Sequence, residues 1–346
     1  MVPFLTRQFA CTSTSTALYK PTDELTALYH AAVRIGYVSR LDGLEQAENH
    51  RLQAEEACQR AVSRRCRSEV LLIARALLAL GSLLNGLPLD VPQEALVADI
   101  TTPLGHQIYD ILCVYRTLLA LIDGTKRITT PVPLAGDLYL ESTFGVARSL
   151  WVLVGKTIDL LVQRRTLDAL PASMVGTLLH DEAAALLREG AEIVEEVKAS
   201  RARRIQQGTE MYHLMLSILV YCEVLGVPMT DERITDCRTR MLRIVSCTPT
   251  AEQLVGYNLP LTIATCYCPS PTSRLELQVL RQSIGIRRCN IAPSALLVPD
   301  VTLAMVEERK GVAARVVGEV EVEEREEETR MPWREACKSL GIDLLV

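Results

Sequence analysis

From Ile108 onward the apolar side chains return every three or four residues. Ile108, Ile111, Leu112, Tyr115, Leu118, Leu119 and Ile122 make one face of a helix, with Asp110 and Arg116 off it. Gly124 is placed to stop that helix. Beyond a loop rich in Thr and Pro (129–136), Phe144, Ala147, Leu150, Trp151, Val154, Ile158 and Leu161 form a second stripe. Arg148, Lys156, Asp159 and Gln163 are assigned to its wet face. A third stripe runs through Leu179, Ala183, Leu186, Leu187, Ile193, Val194 and Val197. A fourth runs through Met211, Leu214, Met215, Ile218, Leu219, Cys222 and Leu225, and Gly226 and Pro228 end it. Thr230 is the expected N-cap of the next helix, which buries Ile234, Cys237, Met241 and Ile244. Upstream, Thr22 followed by Asp23 and Glu24 opens one helix, and 68–84 forms another, strongly apolar one.

These stripes predict an all-α fold, a multi-helix array of about ten amphipathic helices with short connections. Only Gly318–Glu324 alternates in the manner of a strand, and its charge density favours a solvated loop or a helix extension. The loop at 129–137 and the segment 199–208 are the internal seams, and neither is long enough to demand two domains. The expected organisation is a flexible N-terminal segment over 1–21 and one helical body over 22–346, with an acidic connector at 319–330 inside it.

Composition narrows this picture. The 346 residues are 49% apolar and 23% charged, enough to bury a core and too hydrophobic for wholesale disorder. The net charge is −5. The run 319–330 carries all of it, with seven Glu against Arg325 and Arg330, so the rest of the chain exerts no global pull on nucleic acid or an anionic membrane. Eleven scattered cysteines without a secretory leader read as reduced thiols packed as small hydrophobes. The longest uncharged run, Gln253–Ser273, is broken by Pro260, Pro269 and Pro271, so no segment is expected to span a membrane.

The candidate chemistry is thin. Gly155-Lys156-Thr157 resembles the end of a phosphate-binding loop, yet Leu150 stands where that loop needs glycine. Cys266-Tyr267-Cys268 has no second pair for zinc, and His180-Asp181-Glu182 points three ways on a helix. No clustered acids exist to hold a metal-bound diphosphate. Two basic clusters, Arg60, Arg64, Arg65 and Arg67, and Lys198, Arg201, Arg203 and Arg204, could touch phosphate or serve nuclear import; solvated helix ends explain them more simply. No catalytic, cofactor-binding or metal-binding residue is expected, and the chain is read as no enzyme.

A set of segments in order carries a resemblance. Phe144-Gly-Val-Ala-Arg-Ser-Leu-Trp151 is followed by Ile158-Asp-Leu-Leu161. Next come the helix Thr209–Leu225 with Tyr212 and Tyr221, and Tyr257-Asn-Leu-Pro-Leu-Thr-Ile-Ala-Thr-Cys266 with Arg274 after it. The set closes on Pro332-Trp333-Arg334, Gly341 and Leu344-Leu345. From about residue 65 to the end the chain resembles the regulatory domain of fungal-specific transcription factors. It departs at Leu259 and Thr265, where that family has Trp and Gly.

The resemblance implies a transcriptional regulator of a fungal pathway-specific gene set, such as a secondary-metabolite cluster, working in the nucleus. Its implied partners are other transcription factors, coactivators or a second copy of the chain, with no membrane. The family usually begins with six cysteines that hold two zinc ions, and no C-x-x-C occurs in these 346 residues, so contact with DNA is expected to be indirect. The rival readings are an all-α biosynthetic enzyme or a helical scaffold in the same pathway.

Overall fold

A computed structural model describes residues 22–38, 44–64, 68–84, 103–124, 139–167, 172–247, 257–270, 272, 274, 275, 277, 278, 297–317 and 331–340. Every regular element among the described residues is helical, as the periodicity predicts. The chain forms two compact units, one of residues 1–85 with 89–109 and one of 86–88 with 110–346. The expected segment 1–21, the seam at 129–137 and the connector at 319–330 lie outside the described residues. The seam at 199–208 falls inside the second unit, where Arg201 and Ala202 separate two helices.

In the first unit, α1 (Asp23–Val38) packs on both α2 (Leu44–Ser63) and α3 (Glu69–Leu84). Small side chains let the helices approach closely. Ala27, Leu28, Ala31 and Ile35 of α1 are buried with Ala54, Ala57, Cys58 and Ala61 of α2 and Leu71, Ala74 and Leu77 of α3. The Thr22 hydroxyl accepts from the Leu25 amide at 3.4 Å, capping α1 as the sequence predicts. Arg34 is almost wholly buried and donates to the Leu78 carbonyl at 2.8 Å, which ties α1 to α3. At the other end of α1, Asp23 pairs with Arg60 at 3.0 Å and Arg64 at 2.6 Å.

In the second unit the stripes fold around one central helix. α4 (Pro103–Asp123), of which residues 110–123 belong to this unit, ends at Gly124, whose φ of +66° marks the left-handed residue that closes a helix. α5 (Tyr139–Phe144) and α6 (Arg148–Thr166) follow, then α7 (Ala172–Leu178), α8 (His180–Ser200) and α9 (Arg203–Leu219). α9 touches α5, α6, α8, α10 (Glu232–Ser246) and α11 (Asn258–Cys266). Its Met211, Leu214, Met215, Leu216, Ile218 and Leu219 have at most 1% of their surface exposed, because the C-terminal half of the helix is apolar nearly all round. All nine residues of α11 are buried as well, and its Thr262 and Thr265 satisfy their hydroxyls on the carbonyls of Asn258 and Leu261. α12 (Val298–Val317) packs on α11 and on α13 (Trp333–Leu340).

Three local expectations are corrected. Phe144 and Ala147 do not share a helix with Trp151: Gly145, at φ +68°, breaks the chain between α5 and α6. Arg148 is buried, not on a wet face, because it pairs with Asp110 at 3.3 Å. The N-cap of α10 is Asp231, whose carboxylate accepts from the Arg233 amide at 2.9 Å, and not Thr230.

Candidate functional site

Between Met211 and Pro228 the only formal charge in the sequence is Glu223. α9 continues into a widened π turn, Val220–Val224, in which the Leu225 amide reaches back to the Val220 carbonyl at 3.0 Å. Glu223 lies in this turn, and the structure buries it. Its Oε1 accepts from the Tyr267 hydroxyl at 2.8 Å and from the Trp333 indole N–H at 3.1 Å. Arg334 closes the arrangement by donating to both carboxylate oxygens, at 2.9 and 2.7 Å, and through Nε to the Leu121 carbonyl at 3.0 Å. Its guanidinium also lies 4.2 Å from the Trp333 ring centre.

The electrostatics follow from these contacts. Burial pushes the Glu223 carboxyl upward, but the Arg334 charge and the hydrogen bonds from Tyr267, Trp333 and Arg334 outweigh it and hold the group below the usual carboxylate range. Burial and the Glu223 charge push the Tyr267 phenol far above its ordinary value. Glu223 is therefore an ionised carboxylate with its hydrogen bonds filled, a lock between the end of α9, the end of α11 and the start of α13.

Tyr267 extends the lock on its backbone side. Its carbonyl accepts from Arg238 of α10 at 2.6 Å, and Arg238 also reaches the Met229 carbonyl and the Thr235 hydroxyl. Arg274 donates twice to the Cys268 carbonyl, at 3.2 and 2.6 Å. Two arginines thus satisfy the carbonyls left open at the end of α11, where the helix dipole is negative. Arg274 belongs to the segments that carry the resemblance, though not as a site residue. Glu223 and Arg238 were not singled out, although an isolated acid inside an apolar run is a signal that could have found the first.

A second polar seam joins α5, α6 and α9. The buried Glu141 accepts from the Arg148 amide at 3.2 Å and pairs with Arg201 at 3.0 Å. The Thr209 hydroxyl accepts from the Ala147 amide at 2.9 Å. Arg204 donates to the carbonyls of Ser142 and Thr143, Arg203 to that of Cys247, and Lys198 pairs with Glu195. The second basic cluster is thereby engaged within the fold. Of the first, Arg60 and Arg64 hold Asp23, and Arg65 and Arg67 lie outside the described residues.

The other sequence candidates do not come together. Gly155, Lys156 and Thr157 lie within α6: Thr157 is bonded to the Leu153 carbonyl, and Lys156 is exposed and paired with Glu189 at 2.7 Å. Cys266 and Cys268 are buried, and Cys266 faces Thr302 at 3.8 Å. His180 and Asp181 are exposed at the start of α8. Among the described residues no group of three His, Cys, Asp or Glu side chains converges as a metal site, and no helix is long and apolar enough to cross a membrane. Burial pushes the Cys222 thiol well up and the Cys237 thiol up to about 11, so neither is a ready nucleophile. A crevice of about 130 Å³, counting its open mouth, is lined by Leu121, Gly124, Ile158, Leu161, Arg165 and Arg334 and has no enclosed room for a water molecule.

What the polar groups of this unit do is close it upon itself. Residues 121–346, most of this unit and well over half of the chain, match the family model described as the fungal specific transcription factor domain. The matched region holds Glu223, Arg238, Tyr267, Arg274, Trp333 and Arg334, and begins some fifty residues after the start expected from the resemblance. No curated protein and no solved structure gives a match. The chain belongs to the family of fungal-specific transcription factor domains.

Proposed function

We propose that the chain is a nuclear transcriptional regulator of a pathway-specific gene set, such as a secondary-metabolite cluster, and acts as a regulator with no catalytic step of its own. The observation that carries this reading is the family match over 121–346, which takes in the unit closed by Glu223 and Arg334. The helical body 22–346 is the regulatory domain, with 319–330 an acidic connector ahead of Trp333. Its partners in this reading are other transcription factors, coactivators or a second copy of the chain. A small effector held between helices is the further partner that this reading admits.

Chromatin immunoprecipitation of the tagged full-length protein, run beside transcript profiling of a deletion strain, tests the reading. Occupancy at promoters whose transcripts fall in the deletion supports it. Loss of that occupancy when a zinc-cluster protein is removed identifies recruitment. An unchanged transcriptome with a lost metabolite overturns it in favour of a biosynthetic enzyme.

A further inference from the structure

The first unit lies outside the matched region and contains two of the chain's five histidines in direct contact. His30 of α1 and His50 of α2 bring their Nδ1 atoms to 2.8 Å. An imidazole Nδ1 carries either a proton or a lone pair, so one and only one proton must lie between two such atoms at this distance. The ring centres are 5.0 Å apart, which is the nitrogen–nitrogen distance plus one ring radius at each end. The nitrogens therefore point at each other along the line of centres. Two metal ligands would instead converge on a third point.

The surroundings matter to what this contact can do. The Tyr37 ring stacks on His50 at 5.6 Å with 14° between planes, and Tyr29 meets His30 edge-on at 5.1 Å. From α1 the remaining charged neighbour is Arg34, bonded to the Leu78 carbonyl. α2 brings Glu48, Arg51 and Glu55, whose charges are tied together at 2.6 Å. α3 carries Glu69 and Arg75, the latter beside Cys58. Among the described residues, none of these carboxylates or cations acts on His30: burial first, then the charge of His50, lowers its affinity for a proton. Among the described residues no carboxylate is recorded acting on the His30 ring.

We propose that His30 and His50 form a proton-counting clasp on the α1–α2 hairpin, closed with no added proton or with one, and opened by the second. The first added proton strengthens the contact, since imidazolium donating to imidazole is a charge-assisted bond. Tyr37 offers that charge a ring face on the His50 side. The second proton sets two N–H groups and two positive charges against each other, and the contact must break. The seam it guards is lined by Ala27, Leu28 and Ala31 against Ala54 and Ala57, so opening exposes apolar surface on α1 and α2. The clasp gives the N-terminal unit an acid-sensitive state of its own, built from residues outside the matched region.

Two measurements on the full-length protein test this. Hydrogen–deuterium exchange at the histidine ring carbons, read residue by residue by mass spectrometry, should show the pair taking up its two protons in separated steps, with His30 lowered from its ordinary value. Backbone exchange of 23–38 and 44–63, corrected for the intrinsic rate, should rise about tenfold per pH unit once the second proton binds, the slope of a one-proton linkage. In His50→Gln, whose amide can still donate to His30 and cannot titrate, that slope should vanish. The proposal is overturned if the two rings titrate together near 6.5, or if wild type and His50→Gln open identically with pH. It is also overturned if one equivalent of Cu²⁺ or Zn²⁺ protects the hairpin of the wild type alone, which would make the pair metal ligands.

Discussion

Gly208 and Gly145 meet backbone to backbone: a β-carbon on Gly208 would stand far inside van der Waals contact of the Gly145 carbonyl oxygen. The same approach brings the Thr209 hydroxyl to the Ala147 amide, so the start of α9 and the break between α5 and α6 are built as one joint. Gly208→Ala should push α9 away from this joint and cost about 1–3 kcal/mol, the usual penalty of overpacking. Urea denaturation of the second unit is the measurement. Gly190→Ala is the comparison: the atoms in its way belong to side chains, the His213 ring and Leu153, and not to backbone, so its loss should be smaller.

Breaking the lock from one side should cost more than breaking it from both. Glu223→Gln strands the largely buried Arg334, and a loss of about 3–5 kcal/mol is expected. The double variant Glu223→Gln with Arg334→Met should recover part of that loss. A double-mutant cycle by chemical denaturation measures the coupling, and simple additivity of the two single losses would show that the pair does not act as one.

Acid should weaken the second unit in two stages. The His213 ring is pushed down to about 4, chiefly by burial and also by Arg240 and Lys198, so the folded state refuses a proton that the unfolded chain takes. Stability is then complete above the ordinary histidine value and is lost as pH falls from about 6.5 toward 4. Glu223, held below the carboxylate range, keeps its contribution above the unfolded carboxyl value and loses it as pH falls further. Denaturation midpoints from pH 7.5 to 3.5 should show His213→Gln flattening the upper stage and Glu223→Gln the lower.

The array of helices was legible because burial of a stripe leaves a period in the sequence. Gly124 and Gly226 were legible as stops because left-handed backbone favours glycine. The lock was legible only in parts: Trp333 and Arg334 stood out as a closing motif and Glu223 is a lone acid, but nothing joined them. Glu223 is adjacent in number to Cys222 and off the apolar stripe of a regular helix; what turns it inward is a π turn, which has no residue signature. Arg148 and Arg201 read as solvated charges because their partners, Asp110 and Glu141, come from other segments. Phe144 kept the period of the helix it precedes, which hid the break at Gly145. The His30–His50 contact needs the register of α1 on α2, which neither stripe states alone.

Asp231→Ala should destabilise by about 0.5–2 kcal/mol through loss of the α10 cap, whereas Thr230→Ala should change stability by less than about 0.5 kcal/mol. Thermal or urea melts of the two variants decide between the two caps.

The basic cluster around Arg201 should prove structural. Arg201→Gln leaves the buried Glu141 without its cation and should cost about 1–3 kcal/mol. The cellular distribution of a fluorescently tagged variant that still folds should match the wild type. Loss of nuclear signal with unchanged stability would return the cluster to a role in import.

The lock also sets a timetable. Trp333 lies 110 residues after Glu223 in the chain. At synthesis rates of roughly 5–20 residues per second, α9 and its carboxylate leave the ribosome roughly 5 to 20 s before the cation that completes them. During that interval Glu223 is an acid without its cation on an apolar helix, and the helix cannot sink fully into the core at low cost. The lock is therefore complete only once α13 has been made.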